Sequence, residues 1–217
     1  MRSKFDEQLA LMKNELIRMG ALCERAISLA AKALSDGERG LAEKAISLDA
    51  EIDQMERDIE TLCLKLLLQQ QPVARDLRQI SAALKIITDM ERIGDQAADI
   101  AEIVLAMLSE GYLPEDVGNI REMAAETIKM VTESVDSYVQ QDTVKAGQVI
   151  AHDDVIDGYF IHVRTVLTRK IAANPDEGEH ALDLLMIDKY LERIGDHATN
   201  VAEWVIFSVT GNKTRAL

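Results

Sequence analysis

Asp89-Met-Glu-Arg-Ile-Gly-Asp-Gln-Ala-Ala-Asp-Ile-Ala-Glu102 recurs, little changed, as Tyr190-Leu-Glu-Arg-Ile-Gly-Asp-His-Ala-Thr-Asn-Val-Ala-Glu203. Both copies keep Glu-Arg-Ile-Gly-Asp intact, at Glu91–Asp95 and Glu192–Asp196, and their separation of 101 residues is nearly half of the 217-residue chain. A repeat that long marks a duplicated domain and not a short-period solenoid. The chain is therefore read as one unit built twice.

Around the first copy, Ala83, Ile86, Met90, Ile93, Ala97, Ile100 and Val104 step by three and four, the period of a helix with one buried face. Leu184, Ile187, Leu191, Ile194, Ala198, Val201 and Val205 do the same around the second. Two similar seams precede the first copy. One runs Leu9, Met12, Leu16, Met19, Cys23, Ala26, Ala30, and the other Ala45, Leu48, Ile52, Met55, Ile59, Leu62, Leu66. Breaks fall at Ser35–Gly40, at Pro72, at Ser109-Glu-Gly-Tyr-Leu-Pro114 and at Asn174-Pro175. The second half repeats the plan, with helices over about 114–140 and 142–172 before the last one, and a frayed tail from Gly211. The expected fold is all-α: two tandem antiparallel three-helix bundles, 1–110 and 114–210. Helices of about 30 residues span some 45 Å, so an elongated molecule is expected.

Lys and Arg number 24 against 38 Asp and Glu, a net charge of -14. That balance argues against nucleic acid as a partner, which needs clustered positive charge. It suits a protein that attracts cations or basic surfaces. No apolar run approaches the roughly 18–20 residues of a membrane span. Met1-Arg-Ser-Lys-Phe-Asp6 also lacks the apolar core of a signal peptide, so a cytoplasmic chain is expected. Cys23 and Cys63 sit among apolar residues without metal-ligand spacing and read as reduced, half-buried thiols.

The chemistry lies in the carboxylates. On a helical wheel Asp95, Asp99 and Glu102 fall within about 80° of Glu91, on the side away from the apolar seam. Asp53, Glu56 and Glu60 fall within about 40° of Asp49 and make a second stripe on the preceding helix. Asp53 and Glu91 each stand 19 residues from Pro72, and Asp49 and Asp95 each stand 23. Equal distances from the turn of an antiparallel hairpin mean equal heights, so Asp49 should face Asp95 and Asp53 should face Glu91. In the second half Asp153 and Asp157 stand 22 and 18 residues before Pro175, with Glu192 and Asp196 17 and 21 after it.

Each tetrad, Asp49/Asp53/Glu91/Asp95 and Asp153/Asp157/Glu192/Asp196, repels itself unless positive charge sits among its members. Arg92 and Arg193 supply part of that charge, and a multivalent cation would supply more. Oxygen ligands suit Mg²⁺, Mn²⁺, Ca²⁺ or iron better than a closed zinc site. The expected cofactor is a divalent or trivalent metal ion, with Mg, Mn, iron and Zn all left open. His197 and His152 flank the second tetrad and add an imidazole to the expectation there, while Asn200 replaces Asp99. An exposed acidic face with intrahelical Arg pairs is the plainer reading of the same residues. Gly94 and Gly195, mid-helix beside the carboxylates, imply a close approach by a neighbouring helix or a ligand.

No Glu-x-x-His pair falls on the relevant helices, and no phosphate-binding Gly loop, GxSxG elbow or Cys/His nucleophile arrangement appears, so no enzyme is expected. The turn Gln71-Pro-Val-Ala-Arg-Asp-Leu-Arg78 is basic where its counterpart Asn174-Pro-Asp-Glu-Gly-Glu-His180 is acidic. Arg75 and Arg78 are thus expected to meet a partner.

Pro72-Val-Ala-Arg-Asp-Leu-Arg78 leading into Leu84-Lys-Ile-Ile-Thr-Asp-Met-Glu-Arg-Ile-Gly-Asp95, followed by Glu192–Glu203, resembles the PhoU family of phosphate transport regulators over almost the whole chain. The resemblance implies tandem three-helix bundles, a cytoplasmic location and a homodimer. It also implies negative regulation of the phosphate-starvation response by a non-enzymatic adaptor. The implied partners are the ATPase subunit of the high-affinity phosphate importer and a membrane sensor histidine kinase, with membrane association only through them. Acidic metal-binding motifs of some members fall on Asp49, Asp53, Glu91 and Asp95, and on Asp153, Asp157, Glu192 and Asp196. A metal-storage bundle and a metal-dependent hydrolase stand as the alternatives.

Overall fold

The computed structural model describes residues 2–70, 73–114 and 118–212. Among them run six long helices: α1 Arg2–Asp36, α2 Arg39–Gln70, α3 Ala74–Ser109, α4 Gly118–Gln140, α5 Thr143–Ala173 and α6 Gly178–Thr210. A single 3-10 turn, Pro175–Glu177, leads into α6. The break expected at Pro72 lies outside the described residues. α1 begins ahead of Leu9 because Phe5 is also buried and extends the seam by one turn.

The helix ends have local causes. Gly37 takes a left-handed φ of 68°, open to glycine without strain, and its N–H bonds Ala33 O at 3.0 Å to close α1. Asp142 caps α5, its Oδ1 accepting from the N–H groups of Val144 at 2.9 Å and Lys145 at 3.0 Å. The residue before it, Gln141, carries the one positive φ among described non-glycine residues.

The α3 and α6 seams are buried throughout, as their spacing requires. In α2 the seam is looser: Met55 and Leu62 are half-buried, and Cys63 fills the core beside Met12 instead. Cys23 and Cys63 are fully enclosed rather than half-buried, and burial pushes both thiols up to about 12.

α1, α2 and α3 pack on one another as one antiparallel bundle, and α4, α5 and α6 as the second. The bundles meet through α3 against α6 and α1 against α4, so one continuous core runs through both. α3 serves two neighbours on opposite sides, which is why Ile87, Ala98 and Ala101 are buried beyond its seam. α2 and α5 remain on the outside. Polar contacts tie the halves together where the core ends. Tyr138 Oη donates to Gln79 O at 2.9 Å, Gln79 Nε2 donates to Gln141 Oε1 at 2.8 Å, and the linker's Tyr112 stacks on His180 at 3.7 Å.

Candidate metal centre

The first carboxylate set gathers where α2 crosses α3. Gly94 allows that crossing. A Cβ there would lie 2.9 Å from Ile52 Cδ1 and 3.1 Å from its Cγ2, so any larger residue would make the buried Ile52 side chain give way. Gly195 repeats the device against Ile156, with more room at 3.3 Å.

Asp49, Asp53 and Asp95 each bring one carboxylate oxygen to within 4.8 Å of the other two. Asp95 reaches both α2 aspartates, while Glu91 is shared between Asp53 and Glu56. Burial first and then Asp95, Asp53, Asp99 and Glu102 hold the Asp49 carboxyl above its ordinary range. Asp95 is raised by burial and by Asp53 and Asp99, against the lowering pull of Arg92 and His197. Glu91 is raised by burial and by Asp95, Glu56 and Asp53, with Arg92 again opposing. Glu56, Asp99 and Glu102 thus belong to the same field of charge as the tetrad.

Only partial relief comes from the protein. Arg57 reaches Asp53 at 3.5 Å from an exposed position, a pair of little net value. Asp49 Oδ1 is enclosed and accepts no hydrogen bond. An enclosed, orphaned oxygen beside two further aspartates is a donor set that fits a hard cation, with Asp49, Asp53 and Asp95 as the residues that would hold it.

The second set is built differently. Asp153 is pushed up to about 6 by burial and then by Asp196 and Asp157. Asp157 and Asp196, however, are exposed. Glu192 is taken by an ion pair with Lys189, one turn back on α6. Lys189 stands where the first repeat has Thr88, and Phe160 stands where it has Glu56. Lys189 Nζ lies 5.2 Å from the centre of the Phe160 ring. The second set thus carries fewer acids and its own ammonium. Among the described residues it brings no three ligand atoms together as the first does.

Two histidines expected at the second set have other partners. His152 Nε2 lies 2.7 Å from Glu126 Oε2, tying α5 to α4. His197 Nδ1 lies 2.9 Å from Asp89 Oδ1 on α3, and Asn200 Nδ2 donates to the same oxygen at 3.1 Å. His197 therefore bridges the halves. Sequence reasoning missed Asp89, although it opens the repeated motif and its counterpart is Tyr190. The two are used alike: Tyr190 lies against Asp99, so each repeat meets the other across the α3–α6 seam. Arg75 is exposed, whereas Arg78 packs on Gly211 and points its Nε at Ser208 O, 3.5 Å away. Its role is at least partly structural.

The PhoU domain matches residues 16–104 and 120–205, once per bundle. Phosphate-specific transport system accessory protein PhoU homologs from Pseudomonas aeruginosa and Clostridium acetobutylicum are 34% and 35% identical to it. Those matches take in 98% of this chain and 88% and 97% of theirs. The crystal structure of PhoU from Pseudomonas aeruginosa superposes with a TM-score of 0.91 at 34% identity, covering 96% of this chain and all of that one. That of the phosphate transport system regulatory protein PhoU from Streptococcus pneumoniae gives 0.86 at 27% identity, over 98% of this chain and all of its own. The protein belongs to the PhoU family.

Proposed function

We propose that the protein is an accessory regulator of phosphate-specific transport, acting as a brake on the phosphate-starvation response. The observation that carries this reading is the near full-length match to relatives named as accessory proteins of the phosphate-specific transport system. On this reading the chain is a cytoplasmic adaptor between the importer's ATPase subunit and a membrane sensor histidine kinase. It quiets the kinase and restrains uptake while phosphate is plentiful. A rigid six-helix body with two chemically different halves suits an adaptor, since each half offers a different surface. No described helix is long and apolar enough to cross a membrane, in keeping with attachment through partners.

The first carboxylate set adds a metal-dependent element. A divalent or trivalent ion held by Asp49, Asp53 and Asp95 would neutralise the repulsion there and lock α2 to α3. Those aspartates orient their oxygens, Gly94 sets the helix spacing, and Arg92 and His197 trim the remaining charge.

The test is alkaline phosphatase activity in phosphate-replete cells that lack the gene. High activity, restored to low by the wild-type chain, is expected. Activity that stays low in the deletion would refute the brake. Asp49→Ala and Asp95→Ala chains then report in the same assay whether the ion site takes part.

A further inference from the structure

Where α2 and α3 lie side by side, their outer face changes character along its length. On α2 the residues Glu56, Glu60, Leu64 and Leu68 follow one another at intervals of four along that face. On α3 Glu91, Thr88, Leu84 and Leu77 run the opposite way. Ile52 against Gly94 sets the register and places Leu68 beside Leu77, and Thr88 Oγ1 donates to Glu56 Oε1 at 3.5 Å where the two stripes meet. The stretch nearer the middle of the helices is acidic, and the stretch nearer their joined ends is leucine. Leu68 is 84% exposed, more than any other large apolar side chain described, and Leu64 and Leu77 are 47% and 48% exposed. Leu84 lies half-buried beneath them, packed on the core. Single exposed leucines are ordinary, whereas an apolar patch rimmed by polar groups marks a contact site.

The second repeat lacks both parts. With Ile156 against Gly195 as the matching register, Thr168, Ala172 and Gly178 stand at the places of Leu64, Leu68 and Leu77. Phe160 and Arg164 stand at the places of Glu56 and Glu60. The backbone plan that the repeats share therefore requires neither the leucines nor the acids.

We propose that this face of α2 and α3 docks a basic amphipathic helix of a partner protein. Its apolar anchors rest on Leu64, Leu68 and Leu77, and its Lys or Arg side chains reach Glu56, Glu60 and Glu91. The inference rests on the reading of the chain as an adaptor and names the surface and the chemistry that hold one partner. Charge complementarity selects the occupant. The floor between the two helices carries acids beside the leucines, while Arg57 is engaged by Asp53 and Lys65 and Lys85 stand at the outer borders. An anionic lipid surface would lay its phosphates on Glu56, Glu60 and Glu91. A second copy, also at -14, would bring further acids. A basic amphipathic helix lays apolar and positive surface in one groove together. The 12 residues from Glu56 to Leu68 span about 18 Å, so three to four turns of partner helix fill the face, apolar at the tip and basic toward the middle.

Fluorescence anisotropy of the purified full chain with two labelled, Ala-rich helical peptides of about 18 residues is the test, run in chelated buffer. Both peptides carry leucine at i, i+3, i+4 and i+7 in one half, and they differ only in having Lys or Glu in the other. The lysine peptide should bind at least about tenfold tighter than the glutamate peptide. The double variant Leu68→Gln/Leu77→Gln should weaken it by about as much, and Glu60→Lys should abolish the preference for lysine. All three positions are exposed, so melting should hold in both variants. Equal binding of the two peptides, or lysine-peptide binding indifferent to the leucine substitutions, would overturn the proposal. So would cosedimentation with phosphatidylglycerol vesicles that the leucine substitutions abolish, which would assign the face to lipid. In cells, the double variant should fail to restrain alkaline phosphatase. If it restrains as well as the wild type does, the docking face falls and the proposed function stands. Activity that stays low in the deletion sinks the proposed function, and the peptides still decide the docking face.

Discussion

Asp188 should make the protein less stable as the pH rises, and replacing it with isoleucine should remove that dependence. The side chain is 0% exposed, and neither carboxylate oxygen accepts a hydrogen bond. The first repeat has Ile87 at the same place. Burial first, and Glu192 one turn further along α6, push the carboxyl up to about 8 from an ordinary 3.8. Each tenfold change in proton affinity is about 1.4 kcal/mol, so that gap sets a ceiling of about 6 kcal/mol.

The folded state holds this proton where the unfolded chain has released it. The group's contribution is therefore complete below its ordinary value, falls as pH climbs through the window up to about 8, and is flat beyond. Asp188→Ile should stabilise by about 2–5 kcal/mol near pH 8, where the wild type buries a charge. Toward pH 4, close to the ordinary value, the gain shrinks to the cost of a neutral carboxyl without a partner, about 1–3 kcal/mol. Urea unfolding followed by far-UV circular dichroism at both pH values reads the difference. Because Asp49, Glu91, Asp95 and Asp153 titrate upward in both proteins, only the difference between the two curves isolates Asp188. Parallel curves, or an isoleucine variant no more stable near pH 8, would refute the reasoning.

The two mid-helix glycines should rank by the space each has. Gly94→Ala drives a Cβ to 2.9 Å from the buried Ile52. It should cost about 1–3 kcal/mol despite the roughly 1 kcal/mol that alanine returns in helix propensity. Gly195→Ala, at 3.3 Å from Ile156, should cost less, and urea midpoints in the reverse order would count against the close-approach account. At the ion site, Mn²⁺ should raise the melting temperature of the wild type and not that of Asp49→Asn. Without metal the ranking should invert, Asp49→Asn melting higher because it relieves repulsion. Since burial and mutual repulsion raise Asp49, Glu91 and Asp95, protons compete with the ion and the metal-induced rise should shrink as pH falls. Equal metal responses in the two proteins would remove the site.

Periodicity reads a helix one face at a time, and that explains both what was legible and what was not. The seams of α3 and α6 and the meeting of Asp49 with Asp95 follow from spacing and distance to a turn, which are local quantities. His197 bonding Asp89 across 108 residues is not local, and only the docking of α3 on α6 brings them together. The inequality of the two carboxylate sets was half visible in Asn200. Lys189 at the place of Thr88 lies in the same 101-residue register, but its pairing with Glu192 and its approach to Phe160, at the place of Glu56, are contacts that only the packing of α5 on α6 creates. Each of the three changes removes a negative charge or adds a positive one, and all fall in the second repeat. The first repeat keeps an uncompensated cluster with an orphaned oxygen. In the second, the protein supplies its own countercharge, and the outward face of α5 has lost the acids that α2 retains. Duplication therefore left two copies with one backbone plan and opposite electrostatic tasks. An ion should prefer the first copy, where Asp49, Asp53 and Asp95 converge without a countercharge of their own.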